Sequence, residues 1–143
     1  NQALGMVHAN HINWDDKSGH AGLFIYNNDY IGTTIPVFAS LTLIDVFFYT
    51  LGINTFFAKV SMGNPVAVDY NKRLGFKPAE KVKDSGFQLF KLEKQDYETS
   101  SKNWHNLAEK LHKEKGIIHF SKSTRQALKP FIVNNNKFEL IID

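Results

Sequence analysis

Histidines, tyrosines and one glycine-threonine loop are the groups in this sequence whose placement suggests chemistry, and its 143 residues include no cysteine. Thiolate nucleophiles, thiolate metal sites and disulfides are excluded, and nothing points to an oxidising compartment. His8 and His11 invite a metal reading. Three apart on a strand, however, they project to opposite faces, and no nearby carboxylate completes a ligand set, so no metal is expected. His20 titrates near neutrality. Gly32-Thr33-Thr34 lies in a strand-loop-helix junction from Asn27 to Ile35. The first N–H groups of a helix are unpaired and sit at its positive end, so such a junction can hold an anion. A plainer reading makes Gly32 a turn and the threonines helix caps.

The elements that must position these groups follow from pattern. Leu4 to Trp14 and His20 to Tyr26 are strand-like runs joined by Asp15-Asp16-Lys17-Ser18-Gly19, which predicts an antiparallel hairpin. After Asn27-Asn28-Asp29, Thr33 or Thr34 caps a helix with Pro36 in its first turn. Val37, Leu41, Ile44, Phe48 and Leu51 recur at helical spacing, and Phe38, Leu43, Val46 and Phe47 widen the apolar face until the helix must pack on a sheet. Gly52 closes it, and Thr55 to Val60 is a short strand. A second helix runs from Asn64 to Leu74, with Pro65 at its first position and Gly75 as its stop. Phe76 to Lys83 and Phe87 to Leu92 form a further hairpin about Asp84-Ser85-Gly86. In the tail, Trp104, Leu107, Ala108 and Leu111 mark an amphipathic helix ending at Gly116. It is followed by an Ile117 to Phe120 strand and a hairpin joining Phe131-Ile132-Val133 to Phe138–Ile142 through Asn134-Asn135-Asn136. Trp104 reads as docking that helix, and the Phe47-Phe48 and Phe56-Phe57 pairs as core.

Leu51-Gly52-Ile53, the strand to Val60, Asn64-Pro65-Val66-Ala67 and Leu74-Gly75-Phe76 together resemble the signature of GNAT-type N-acyltransferases. The resemblance extends over roughly Ala3 to Leu92 and implies an α+β fold of layered α/β type: a twisted mixed sheet with flanking helices whose two central strands splay to hold the arm of an acyl-CoA. It also implies that a strand, two helices and a second strand should precede Asn1. Acetyl-CoA is the implied acyl donor, and the acceptor a primary amine of a small molecule or a protein. Cofactor contacts are expected from Phe24 and Tyr26 on the strand, Gly32, Thr33 and Thr34 in the loop, and Asn64 and Asn71 on the second helix. Several positions depart from the family pattern. Ile31, Thr34 and Pro36 stand where the phosphate loop has Arg or Gln and spaced glycines, and Pro36 has no N–H to give. Ala21 replaces a glutamate base, which leaves the adjacent His20 as the candidate base although strand alternation turns it the other way. Asn71 replaces a tyrosine acid, leaving Tyr70, one residue early, as the candidate acid.

The whole is expected to form a GNAT-like domain over residues 1–98, incomplete at its start, and an extension over residues 99–143. The net charge is +3, and the basic excess lies in the tail, which carries 8 Lys/Arg against 4 Asp/Glu beyond residue 100. With no reader motif, nucleic-acid binding is not expected. The apolar stretch Pro36 to Leu51 falls short of the ~20 residues of a membrane span, and a cytoplasmic protein, with homodimerisation through the tail left open, is the simplest expectation. The opening residues carry neither Met nor a signal-peptide pattern, so the native start is expected to be lost or processed. Three functions compete: an N-acyltransferase, an inactive module of the same fold that binds a ligand or partner, and a basic-tailed nucleic-acid binder.

Overall fold

The first two strands pair because each offers alternating side chains and a tight turn joins them. In the computed structural model, which describes residues 3–82, 86–111, 116–133 and 138–142, strand β1 (Gly5–Asn13) and strand β2 (Ser18–Ile25) form the expected antiparallel hairpin. Its ladder runs from Gly5 opposite Ile25 to Asn10 opposite His20. It then shifts, resuming at Asn13 opposite Ser18. Two residues, His11 and Ile12, therefore face Gly19 alone. That is a β-bulge, and His11 absorbs it with a φ of 48°.

Helix α1 (Thr34–Asp45) continues into a wider turn over Val46–Thr50, in which the Leu51 N–H donates to the Val46 carbonyl five residues back. Leu41, Ile44, Phe48 and Leu51 are buried as the helical spacing predicts. Strand β3 (Thr55–Ser61), helix α2 (Pro65–Arg73), strand β4 (Lys77–Val82) and strand β5 (Phe87–Glu93) complete a five-stranded sheet in the order β1-β2-β3-β5-β4. Gly75 ends α2 with a φ of +99°, and a Cβ there would come within 2.9 Å of the Ser100 Cβ. The turn predicted at Asp84-Ser85 lies outside the described residues.

One pairing governs the shape of the sheet. β2 and β3 run parallel and pair only at Ser18, Gly19 and His20 against Thr55, Phe56 and Phe57. Beyond these three positions the strands diverge. β2 stays paired to β1 from His20 to Ile25, and β3 to β5 along its whole length, so the sheet opens in its middle.

The core lies between the sheet and the helices. Phe48 stacks on Phe56 and meets Tyr97 edge-on, each pair with ring centres 5.5 Å apart, and Ile53, Phe90 and Leu92 close round them. Tyr97 sits on a short helix that the sequence pattern did not reveal, α3 (Lys94–Ser100), and is wholly buried. Its hydroxyl donates to the Asp45 carboxylate at 2.7 Å. His105, on α4 (Lys102–Leu111), approaches the other oxygen of Asp45 at 2.9 Å. Trp104 beside it meets Phe38 edge-on. The chain thus passes through residues 98 and 99 inside a helix, and α4 lies against α1.

The tail departs from expectation in one respect. Strands β6 (Gly116–Phe120) and β7 (Phe138–Ile142) pair in parallel, with helix α5 (Lys122–Leu128) between them. Parallel pairing needs a crossover of a dozen or more residues, and the stretch from Phe120 to Phe138 that includes α5 is long enough. The expected hairpin does not form because Phe131 to Val133 is drawn elsewhere: Phe131 stacks on Trp14 at 4.0 Å and the Val133 N–H donates to the Thr50 carbonyl at 2.8 Å. Asn134 to Asn136 lie outside the described residues. The helix expected to reach Gly116 is described to Leu111, and Gly116 opens β6. Among the described residues, no helix is long and apolar enough to cross a membrane.

Since Phe48 is 1% exposed and in contact with two other core rings, Phe48→Ala should lower the unfolding free energy by about 3–5 kcal/mol. A urea titration followed by circular dichroism measures it.

Candidate active site

The opening of the sheet is the floor of a cleft of about 1230 Å³. One wall is β2 from His20 to Ile25, the other is β3 from Ala58 to Ser61, and the cleft continues between α1 and α2. Past His20 and Phe57 the facing edges of the two strands have no ladder partner. Their backbone N–H and C=O groups are thus available to an extended ligand, as strand edges are.

At one end stands the start of α1. Thr33 occupies the N-cap position, yet its side chain makes no capping bond. Its hydroxyl donates instead to the Tyr30 carbonyl at 2.8 Å. With Pro36 third in the helix, the N–H groups of Thr34 and Ile35 are left at an exposed, uncapped terminus whose dipole favours an anion. Gly32, with a φ of +82° and nothing within 4 Å of where a Cβ would stand, keeps the approach open. Thr33 thus stands at the N-cap position expected from sequence, but its hydroxyl does not make the capping bond.

Across the cleft is α2. Asn64 caps it by accepting the Ala67 N–H at 3.0 Å, and the Asn71 amide turns back to the Ala67 carbonyl at 2.8 Å. Tyr70 reaches over to α1: its hydroxyl donates to the Pro36 carbonyl at 2.8 Å and lies 2.8 Å from the Ser40 hydroxyl, whose own proton can complete that second bond. Burial pushes the Tyr70 hydroxyl up from 10.0 to about 12, with the Ser40 contact opposing weakly. Tyr70 is thus a bridge between the two helices that form the cleft's sides.

Of the residues singled out from sequence, His20, Phe24, Gly32, Thr33, Thr34, Asn64, Tyr70 and Asn71 all line this one cleft. Tyr26 does not; it stands exposed, edge-on to Phe24 at 5.1 Å. His20 sits at the apex where the strands part, its ring 5.6 Å from Phe57. Burial, and then the neighbouring His11, lower its pKa below 6.5. His8 and His11 do not project to opposite faces as simple alternation predicts. The bulge reverses the alternation between them, and both line the cleft. His8 packs on Gly22 across the hairpin so closely that a Cβ there would lie 2.6 Å from its Nε2. Among the described residues no group of three or more His, Cys, Asp or Glu side chains is placed to hold a metal ion. The sequence reading also missed Ser40 and Trp104 as cleft residues. Ser40, a buried polar residue one turn after Pro36 in a largely apolar helix, was the available signal.

The order of strands, the gap between the central pair and the uncapped helix beside it make a pattern that can be compared with solved structures. A crystal structure of a probable acetyltransferase superposes with a TM-score of 0.59 at 22% identity, over 65% of this chain and 57% of that one. The fold is that of the GNAT acetyltransferases. A chimera of the spermidine N-acetyltransferase SpeG from Vibrio cholerae and hSSAT gives a TM-score of 0.61 at 19% identity, over 68% of this chain and 66% of that one. The V. cholerae SpeG solved with manganese ions gives 0.58 at 18%, over 69% and 62%. The chain therefore spans 57% to 66% of the length of the first of these GNAT-fold structures. No family model and no curated protein sequence matches it.

The raised Tyr70 pKa has a consequence for stability. In the unfolded chain a tyrosine ionises near 10.0, whereas the folded Tyr70 holds its proton to about 12. Between those values the unfolded state binds fewer protons, so stability falls as pH rises through that window. Tyr70→Phe should lose about 1 kcal/mol at neutral pH for the severed bridge and show a shallower alkaline decline. Urea midpoints at neutral and alkaline pH measure both effects.

Proposed function

We propose that the protein is an N-acyltransferase that takes its acyl group from acetyl-CoA and passes it to a primary amine. The observation that carries this reading is the juxtaposition of the β2–β3 opening with the uncapped start of α1. An acyl-CoA is an extended amide-bearing arm ending in a pyrophosphate, and these two features are what such a ligand requires side by side. Unpaired strand edges suit the arm, and free helix-terminal N–H groups suit the anion. Thr33, Thr34 and Gly32 are the proposed pyrophosphate contacts, with Phe24, Asn64 and Asn71 along the rest of the ligand; Tyr26, which stands outside the cleft, is not among them.

In the reaction a neutral amine attacks the thioester carbonyl carbon, the C–N bond forms, the C–S bond breaks, and the thiolate leaves with the electron pair. The amine nitrogen must shed a proton and the thiolate must gain one. His20 at the apex is the proposed base. Tyr70 is the proposed acid; to serve, its hydroxyl must turn from the Pro36 carbonyl toward the sulfur. Backbone donors along the opening would stabilise the oxyanion. Both SpeG proteins are named for spermidine; the acceptor proposed here is a primary amine on a small molecule or a protein.

A second reading, a GNAT-fold module that binds a ligand or partner without turnover, draws on Pro36, which removes one N–H from the anion site, and on the bonds that tie up Tyr70 and Asn71. The two separate in one assay. Calorimetry with acetyl-CoA should show binding, and thiol release should appear with at least one amine of a panel. Binding without thiol release supports the module, and absence of binding rejects the transferase. Gly32→Val, which forces a branched side chain into a left-handed backbone at the mouth of the loop, should weaken acetyl-CoA binding at least about tenfold, or ~1.4 kcal/mol.

A further inference from the structure

The bulge in β1 is an expense that the hairpin itself does not require. A non-glycine residue in the left-handed region costs about 1–3 kcal/mol, and two residues of β1 are spent opposite one of β2. Two side chains are moved by it. Ile12, which unbroken alternation would place with His8 and Asn10, turns instead into the core, where it and the Phe56 ring both lie against Gly19. His11 turns out onto the cleft and comes to rest with its ring 5.4 Å from that of His20. Its Nδ1 lies 2.9 Å from the Asn10 side-chain oxygen, which fixes the ring's orientation.

We infer that His11 is a positioning residue for the acyl transfer, held beside His20 by the bulge so that a proton on either ring opposes a proton on the other, which leaves the His20 imidazole ready to take the proton of the attacking amine. This rests on the transferase reading. The proton passes from the amine nitrogen to a ring nitrogen of His20 as the C–N bond forms, and returns to solvent after the product leaves. A base at this place must be unprotonated before the amine arrives. Two imidazoles at this separation cannot both charge without mutual repulsion, so the first proton taken by the pair opposes the second. The groups facing His20 from the neighbouring strands are His11, Asn10 and His8 on β1, and Phe57 on β3. Lys59, the next residue on that face of β3, also lines the cleft. Burial of His20 works in the same direction as the repulsion from His11.

The test uses His11→Asn, His20→Gln and the unaltered protein. Asparagine tolerates the left-handed backbone, so H11N keeps the bulge while removing the second imidazole; circular dichroism and thermal melting verify its fold. Two readouts are taken. The first is the pH dependence of kcat with acetyl-CoA and an accepted amine. The second is the titration of the His20 ring proton by NMR in the free protein, which needs no turnover. H20Q should lower kcat by about 10²-fold or more. H11N should move the acidic limb of kcat and the His20 titration together to higher pH, so that its rate deficit is greatest on the acid side. A purely structural role for His11 would lower the rate at every pH and leave both midpoints in place, and that result overturns the inference. So does an H20Q protein whose kcat stays within a few-fold of the unaltered one. Failure of the unaltered protein to bind acetyl-CoA by calorimetry would instead remove the transferase reading, and the inference with it.

Discussion

The three-residue contact between β2 and β3 is the constraint on which the rest of the molecule depends. Were the ladder to continue past His20 and Phe57, the sheet would close and no cleft would exist. The divergence is sustainable because each strand is secured on its other side, β2 by the hairpin with β1 and β3 by the long ladder with β5. The sheet is in effect two stiff ribbons hinged at one point. α1 and α2 lie over the gap and are kept in register by the Tyr70 bridge. The unpaired backbone left at the gap would be costly in a sealed interior; here it borders an open cleft, where water or a ligand can satisfy it.

The second organising feature is Asp45. A carboxylate 5% exposed beneath a helix must be met by donors or it destabilises the fold. Tyr97 from α3 and His105 from α4 both reach it. Two successive helices after the sheet are thereby fastened to α1, and Trp104 next to His105 becomes part of the cleft wall. The segment beyond the last sheet strand is thus joined to the site through polar contacts at the core as well as apolar ones.

What could be read from the sequence was what local chemistry dictates. The Asn64-Pro65 start and Gly75 stop of α2 follow from capping and from backbone geometry, and the structure has both. The apolar pattern of Val37 to Leu51 gave the helix and its buried face. The uncapped start of α1 was half visible, since Pro36 and Gly32 could be named but the diversion of the Thr33 hydroxyl to Tyr30 could not. Three things were hidden for physical reasons. α3 is short and strongly polar except for Tyr97, so periodicity had nothing to grip. The bulge at His11 involves a left-handed histidine, a conformation uncommon enough outside glycine that sequence alone does not place it, and it reversed the faces of the residues beyond it. The parallel pairing of β6 with β7 depends on Phe131 being captured by Trp14, a contact across more than a hundred residues.

That last contact has a practical side. The sequence contains two tryptophans, and the structure sets them in different roles. Trp14 lies face to face with Phe131, where the far end of the chain returns to the first hairpin, while Trp104 stands edge-on to Phe38 at the inner wall of the cleft. Each indole is a native optical probe of a separate event. Emission from one follows the seating of the chain's end, and emission from the other follows the filling of the groove, so single replacement of either lets the two be watched apart without attaching a dye.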